Sequence, residues 1–217
     1  MRIGLLLGSL VLLLVGVAAV NTARSGPTSS PARTVPVAPV PAGAAERLAG
    51  SLRIPTISHA DSAAFDAEAF RALHAYLEAH YPRVHSQLQR ETVGAHSLLY
   101  TWRGSDPSLK PILLAAHLDV VPVEAGTEGK WQQDPFGGRI ADGFIWGRGA
   151  IDNKSAVLGT LEAAEMLLGE DFRPARTVHL AFGHDEEVGG TRGAREIAAL
   201  LKRRGVALEM VLDEGGV

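Results

Sequence analysis

Three apolar runs in this chain each pass directly into a polar cluster, and that arrangement constrains the fold more than any other feature. PILLAA at 111–116 leads into His117-Leu118-Asp119, VHLAFG at 178–183 into His184-Asp185-Glu186-Glu187, and LEMVL at 208–212 into Asp213-Glu214-Gly215-Gly216. A short continuous apolar run suits a strand covered on both faces, as in sheets flanked by helices. In open α/β sheets ligand sites lie just beyond the carboxyl ends of such strands. The three clusters are therefore expected to meet at one edge of one sheet.

The intervening segments agree. Helical periodicity and stop signals predict helices over 44–53, 66–80, 153–169 and 191–204, and further strands over 84–91, 97–103 and 177–182. Strands alternating with helices imply crossover units. The expected fold class is α/β, a mainly parallel mixed sheet with helices on both faces, occupying 46–217.

Two segments precede it. Residues 3–20 carry no charge and are flanked by Arg2 and Arg24, which reads as a signal peptide or membrane anchor over 1–23. Residues 24–45 are rich in Pro, Ala and Ser, with Pro27, Pro31, Pro36, Pro39 and Pro41. Such a stretch buries too little apolar surface to offset its ordering entropy and is expected to be a linker. The expected location is outside the cytosol, either secreted or periplasmic, or held at a membrane by the N-terminal segment alone.

The chemistry follows from what is present and what is missing. There is no cysteine, which excludes thiol nucleophiles, disulfides and Cys-ligated metals. With 21 basic against 24 acidic side chains and a net charge of −3, the chain has no footprint for nucleic acid. A further acidic residue, Asp152, follows the turn Trp146-Gly147-Arg148-Gly149 at the start of a helix. Carboxylates gathered around a histidine repel one another unless a cation sits among them. Without sulfur the natural occupant is zinc, with manganese or cobalt as alternatives. In His117-x-Asp119 the two side chains point the same way along an extended chain, so Asp119 can hold the imidazole in one tautomer. Adjacent Glu186 and Glu187 point apart, which allows one to bind metal and the other to act as a base.

Each piece also has a plainer role: Asp152 can cap a helix, paired glutamates can open one, and Asp213-Glu214 can form a polar turn. Their joint placement at successive strand ends favours the metal site. His59, His74, His80, His85, His96 and His179 are assigned to packing or to the surface. His184 is a candidate for the wall of the site.

At these motifs the sequence resembles the co-catalytic di-zinc exopeptidase and aminoacylase family. The likeness runs from about residue 44 to 217 and is carried by LLAAHLDVVP (113–122), WQQDPFGGRIADGFIWGRGAIDNK (131–154), FGHDEEVGG (182–190) and LDEGG (212–216). LDEGG and the linker-bearing front are most similar to the carboxypeptidase S-like branch. The resemblance implies that His117 binds one zinc, Asp119 orients it, Asp152 bridges two metals, and the peptide to Asn153 is often cis. It further implies that Glu187 binds the second zinc, Glu186 is the general base, and Asp213 completes the first zinc's ligands, with Glu214 as its competitor. The implied substrates are small peptides or N-acyl amino acids. Family members carry a further histidine ligand downstream and an inserted lid domain that usually makes a homodimer contact. Neither is found up to Val217, so the chain is expected to be the N-terminal part of a larger enzyme. Two other readings are a related di-zinc aminopeptidase and a non-catalytic exported metal-binding domain. The Gly-Arg-Gly-x-x-Asp-x-Lys turn argues against the first, and Glu186 argues against the second.

Overall fold

The computed structural model describes residues 2–24, 37–61 and 64–214. It divides into two compact units, Met1–Pro39 and Val40–Val217. Among its described residues the first contains one helix, α1 (Arg2–Arg24), with apolar side chains such as Leu12 and Leu13 more than half exposed. No helix among the described residues is long and apolar enough to cross a membrane. The expected linker falls mostly on 25–36, outside the described residues, and 37–41 form neither helix nor strand.

The second unit opens with α2 (Ala44–Leu52) and α3 (Ala67–His80). Asp66 caps α3, its Oδ1 accepting the N–H groups of Glu68 at 2.9 Å and Ala69 at 3.2 Å, which satisfies two of the donors a helix start leaves free. The segment 84–91, expected to be a strand, instead begins as α4 (Pro82–Gln87), and only Gln89–Val93 forms β1. Pro82 at the first helical position pre-sets the backbone. The carboxylate of Glu165, far away in sequence, accepts the freed N–H groups of Arg83 and Val84. That cap exists only in the folded chain.

The remaining elements are β2 (Ser97–Trp102), β3 (Ile112–His117), β4 (Arg139–Ala141), β5 (Phe144–Trp146), α5 (Lys154–Gly169), β6 (Val178–Gly183), α6 (Ala194–Arg203) and β7 (Met210–Leu212). β4 and β5 form a separate hairpin that the sequence reading omitted. Its Asp142-Gly143 turn, with φ of 55° and 79°, is a two-residue signal for a hairpin.

The main sheet has the order β1-β2-β6-β3-β7. It is parallel across β6–β3–β7 and antiparallel across β1–β2–β6. The parallel half carries the polar clusters, since β3 and β6 run side by side with His117 opposite Gly183. Alternation along the strands sends Leu98, Tyr100, Leu180 and Phe182 into a core with α3, α4 and α5. Leu99, Leu113 and Ala181 face the other way, against Ile197 and Leu201 of α6. Helices thus lie on both faces. On the α6 side, a groove of about 570 Å³ runs along β3 and β7 among Leu113, Ala115, Leu201 and Val211.

Three of the histidines away from the strand ends, His74, His85 and His179, are held by contacts inside the fold. His85 Nε2 meets the Tyr100 hydroxyl at 2.9 Å, His179 lies beside Thr101, and His74 Nε2 reaches the backbone oxygen of His96 at 2.9 Å. Burial holds the His74 imidazole down at about 4, below its ordinary 6.5. The unfolded chain then takes up this proton first as pH falls. The stability this neutral imidazole confers is whole above about pH 6.5 and is lost as pH drops toward 4. Thermal melts should show Tm falling across that window, and His74→Gln should flatten the fall. An unchanged slope in the variant would assign the acid sensitivity to other groups.

Candidate metal centre

β3 ends at His117, and the chain continues through Leu118, whose N–H donates to the Gly183 oxygen at 2.7 Å, to Asp119 and to Val120, which pairs beside Ile57. His117 and Asp119 are 2% and 0% exposed in their side chains. An ionised carboxylate cut off from water is tolerated only when fully hydrogen-bonded. Asp119 meets that condition. Oδ1 accepts the Glu186 N–H at 3.1 Å, and Oδ2 accepts the Glu187 N–H at 3.1 Å and the Ser58 hydroxyl at 2.5 Å. Oδ1 also lies 3.4 Å from His117 Nδ1, which is 2.9 Å from the backbone oxygen of Asp119. Burial opposes the Asp119 charge, but the bonds from His117, Ser58 and the Glu186 N–H outweigh it and hold the carboxyl below its usual range.

With Nδ1 engaged, Nε2 of His117 points outward into a ring of carboxylates. Asp152 Oδ1 is 2.9 Å away, Glu214 Oε1 3.5 Å and Glu186 Oε2 3.9 Å. Asp152 reaches this place from the turn before α5. Gly149 in that turn has φ +84°, and a Cβ there would lie 2.7 Å from Val120 Cγ1, so the turn needs glycine. The Asp152–Asn153 peptide is cis, as the resemblance implied. Glu186 and Glu187 lie on a single 3₁₀ turn after β6.

Two sets of ligand atoms lie within 4.8 Å of one another: His117, Glu186 and Glu214; and His117, Asp152 and Glu187. Both draw on the same imidazole. Since its other nitrogen is occupied, His117 serves one cation at a time, and the second position has only carboxylates among the described residues. Asp213 is in neither set; its Oδ1 accepts the N–H of Glu214 at 2.9 Å. Glu214 occupies the place by His117, and its carboxylate also accepts from Asn153 Nδ2. Gly215 and Gly216 lie outside the described residues. His184 is turned away from the cluster: its Nδ1 meets the Ser97 hydroxyl at 2.6 Å, and its ring packs on Phe65, Phe70 and His96.

The electrostatics suit a cation. Two like charges 4 Å apart repel by about 4 kcal/mol at an effective dielectric near 20, so the cluster needs positive charge. Burial raises Glu186 and Glu187 toward the neutral form, and for Glu187 the neighbouring Asp152 adds to it. Burial also acts to lower His117, but Asp119, Asp152 and Glu214 overcome it and lift the imidazole to about 9. One imidazole nitrogen and several carboxylate oxygens form a donor set that suits zinc, cobalt or manganese.

Sequence reasoning missed Ser58 and Thr56. They lie on a segment that pairs beside Val120 and closes over Asp119, with Thr56 Oγ1 donating to the Leu118 oxygen at 2.6 Å. The only local sign was the short polar stretch after Pro55.

A mixed sheet whose parallel strand ends gather one imidazole and several carboxylates defines an α/β domain with a set of candidate metal ligands. Residues 113–217 match the profile of peptidase family M20/M25/M40. The chain carries a Peptidase M20 family domain. It is 47% identical over 174 residues to the N-fatty-acyl-amino acid synthase/hydrolase PM20D1 of Mus musculus, covering 78% of this chain and 33% of that protein. It is 44% identical over 174 residues to the probable carboxypeptidase S-like 2 of Dictyostelium discoideum, covering 79% of this chain and 33% of that one. The chain thus spans about a third of the length of these curated relatives. An M20 family metallo-carboxypeptidase from Sulfolobus solfataricus superposes with a TM-score of 0.61 over 80% of this chain and 37% of its own. At 23% identity that likeness speaks for the fold alone.

A divalent cation must displace the proton from His117, since only the neutral imidazole is a ligand. Apparent zinc affinity should therefore climb from pH 6 toward about 9 and then level off. Competition titrations against a chelator at several pH values measure this, and an affinity flat across that range would remove His117 from the ligand set.

Proposed function

We propose that the enzyme containing this domain hydrolyses amide bonds in small peptides or N-acyl amino acids, by the metal-dependent chemistry of a carboxypeptidase or deacylase. The observation that carries this reading is the outward nitrogen of His117, facing Asp152, Glu214 and Glu186 at 2.9, 3.5 and 3.9 Å. Fixed ligands with a carboxylate of raised pKa beside them form a hydrolytic arrangement, whereas a structural metal site needs no such base. The family membership and the names of the relatives support the substrate class.

His117, Asp152 and Glu187 would hold zinc, with either Asp213 or Glu214 completing the first position. Asp152, the carboxylate nearest His117 Nε2 at 2.9 Å, is the group to which the resemblance assigns a bridging role. Zinc would lower the pKa of a water and polarise the scissile carbonyl. Glu186 takes the proton from the attacking water at its carboxylate and delivers it to the departing amine. Its upward shift, caused first by burial, brings it nearer the pH at which it must both accept and donate. Asp119 keeps its own charge throughout and holds His117 in the tautomer that leaves Nε2 free. The second zinc position has only carboxylates to offer among the described residues. We also propose that α1 directs export, on the strength of its exposed apolar side chains.

The test uses the product of the complete reading frame. Glu186→Gln should reduce kcat on N-acyl amino acids by about 10²- to 10⁴-fold, while zinc per chain, read by elemental mass spectrometry, stays at the wild-type value. Unchanged turnover would remove Glu186 from the mechanism, and absence of zinc from the wild type would remove the metal reading itself.

A further inference from the structure

Lys154 opens α5 two residues after Asp152, and it is 1% exposed. Taking an ammonium out of water costs several kcal/mol even after relaxation, and an apolar side chain would fill this place without that cost. Its Nζ is satisfied by backbone oxygens, donating to Ser51 at 3.0 Å and Ile54 at 2.6 Å. Those oxygens belong to the turn that closes α2, where Arg53 N–H returns to Gly50 and Ile54 N–H to Ser51. A helix end of this kind carries unpaired carbonyls and partial negative charge, so it accommodates a buried cation.

The segment held in this way leads directly to Asp119. Just beyond Ile54 the chain runs beside 118–120: Val120 N–H donates to the Thr56 oxygen at 3.0 Å, and Ser58 N–H donates to the Val120 oxygen at 3.0 Å. Ser58 then gives its hydroxyl to Asp119 Oδ2. At the other end, Lys154 is tied into the turn that presents Asp152, its own N–H donating to the Gly149 oxygen at 3.1 Å. One side chain thus connects the strap that bonds Asp119 to the turn that delivers Asp152, the carboxylates on either side of His117.

We propose that Lys154 is a positioning residue of the metal centre: by fastening the 51–58 strap to the start of α5, it sets the gap between Asp152 and the Asp119–His117 pair. The inference rests on reading that cluster as a metal site. Lys154 touches neither metal nor substrate, and its effect travels through the strap and through Ser58.

The test uses cobalt(II) as probe on the product of the complete reading frame, with visible absorption and chelator competition as readouts and far-ultraviolet circular dichroism to confirm folding. Lys154→Met should remain folded, lose about tenfold or more in cobalt affinity, as loss of supporting groups around a metal site commonly does, and shift the absorption band. Ser58→Ala should weaken binding less. The double variant should resemble Lys154→Met alone, because two groups acting through one strap are not additive. A folded Lys154→Met with wild-type affinity and spectrum would overturn the proposal, as would losses that multiply in the double variant. If Lys154→Met does not fold, Ser58→Ala and Lys154→Arg decide: an altered band in both supports the strap, and unaltered bands in both reject it. Failure of the unsubstituted chain to bind cobalt would instead refute the metal reading beneath it.

Discussion

A carboxylate shut off from water must place all of its acceptor capacity within the protein, and Asp119 does so at the point where three parts of the chain converge. The hydroxyl of Ser58 comes from the strap after α2, the imidazole from the end of β3, and two backbone N–H groups from the turn after β6. Leaving any of these donors out would strand a buried charge, a loss of a few kcal/mol in a fold whose whole margin is about 5–15 kcal/mol. The condition that makes Asp119 tolerable therefore also fixes His117 Nε2 and the backbone of Glu186 and Glu187 relative to one another. Organisation of the site and stability of this corner of the fold are one requirement.

The sheet supplies the frame on which this works. β3 and β6 run parallel and in register, so their polar extensions emerge at the same edge. The apolar alternation that locks this register cannot slip by one residue without exchanging the α5-facing and α6-facing side chains. The exposed members of the cluster are held less directly. Asp152, Glu186 and Glu214 have 65%, 49% and 35% of their side chains exposed, and their mutual repulsion is offset in this structure by the imidazolium of His117. A divalent cation would take over that role with more charge and more ligands.

Much of this was legible locally. The runs 111–116, 177–182 and 208–212 are strands in the structure to within a few residues, because a continuous apolar run between polar turns has few alternatives. The helix at 66–80 was legible for the same kind of reason, with Asp66 as its cap. The segment 84–91 was not, since its helical first half depends on Glu165 from another element. The hairpin at 139–146 was written in Asp142-Gly143, but its strands are three residues each, too short for a periodic pattern to stand out. In the site, His117, Asp119, Asp152, Glu186 and Glu187 were nameable because each sits at a strand end or a helix start. Ser58 and the strap were not nameable, since hydrogen bonds across 61 residues leave no local trace.

By itself the sequence determined the class of fold, the absence of cysteine ligands and the candidates for holding a cation, since those depend on composition, periodicity and the order of motifs along the chain. Only the tertiary structure decided which nitrogen of His117 faces the carboxylates, that Glu214 rather than Asp213 stands beside it, and that a buried lysine ties the two sides together. These choices depend on distances between groups far apart in sequence and on what remains to satisfy each polar atom once water is excluded. Neither quantity exists until the chain has packed.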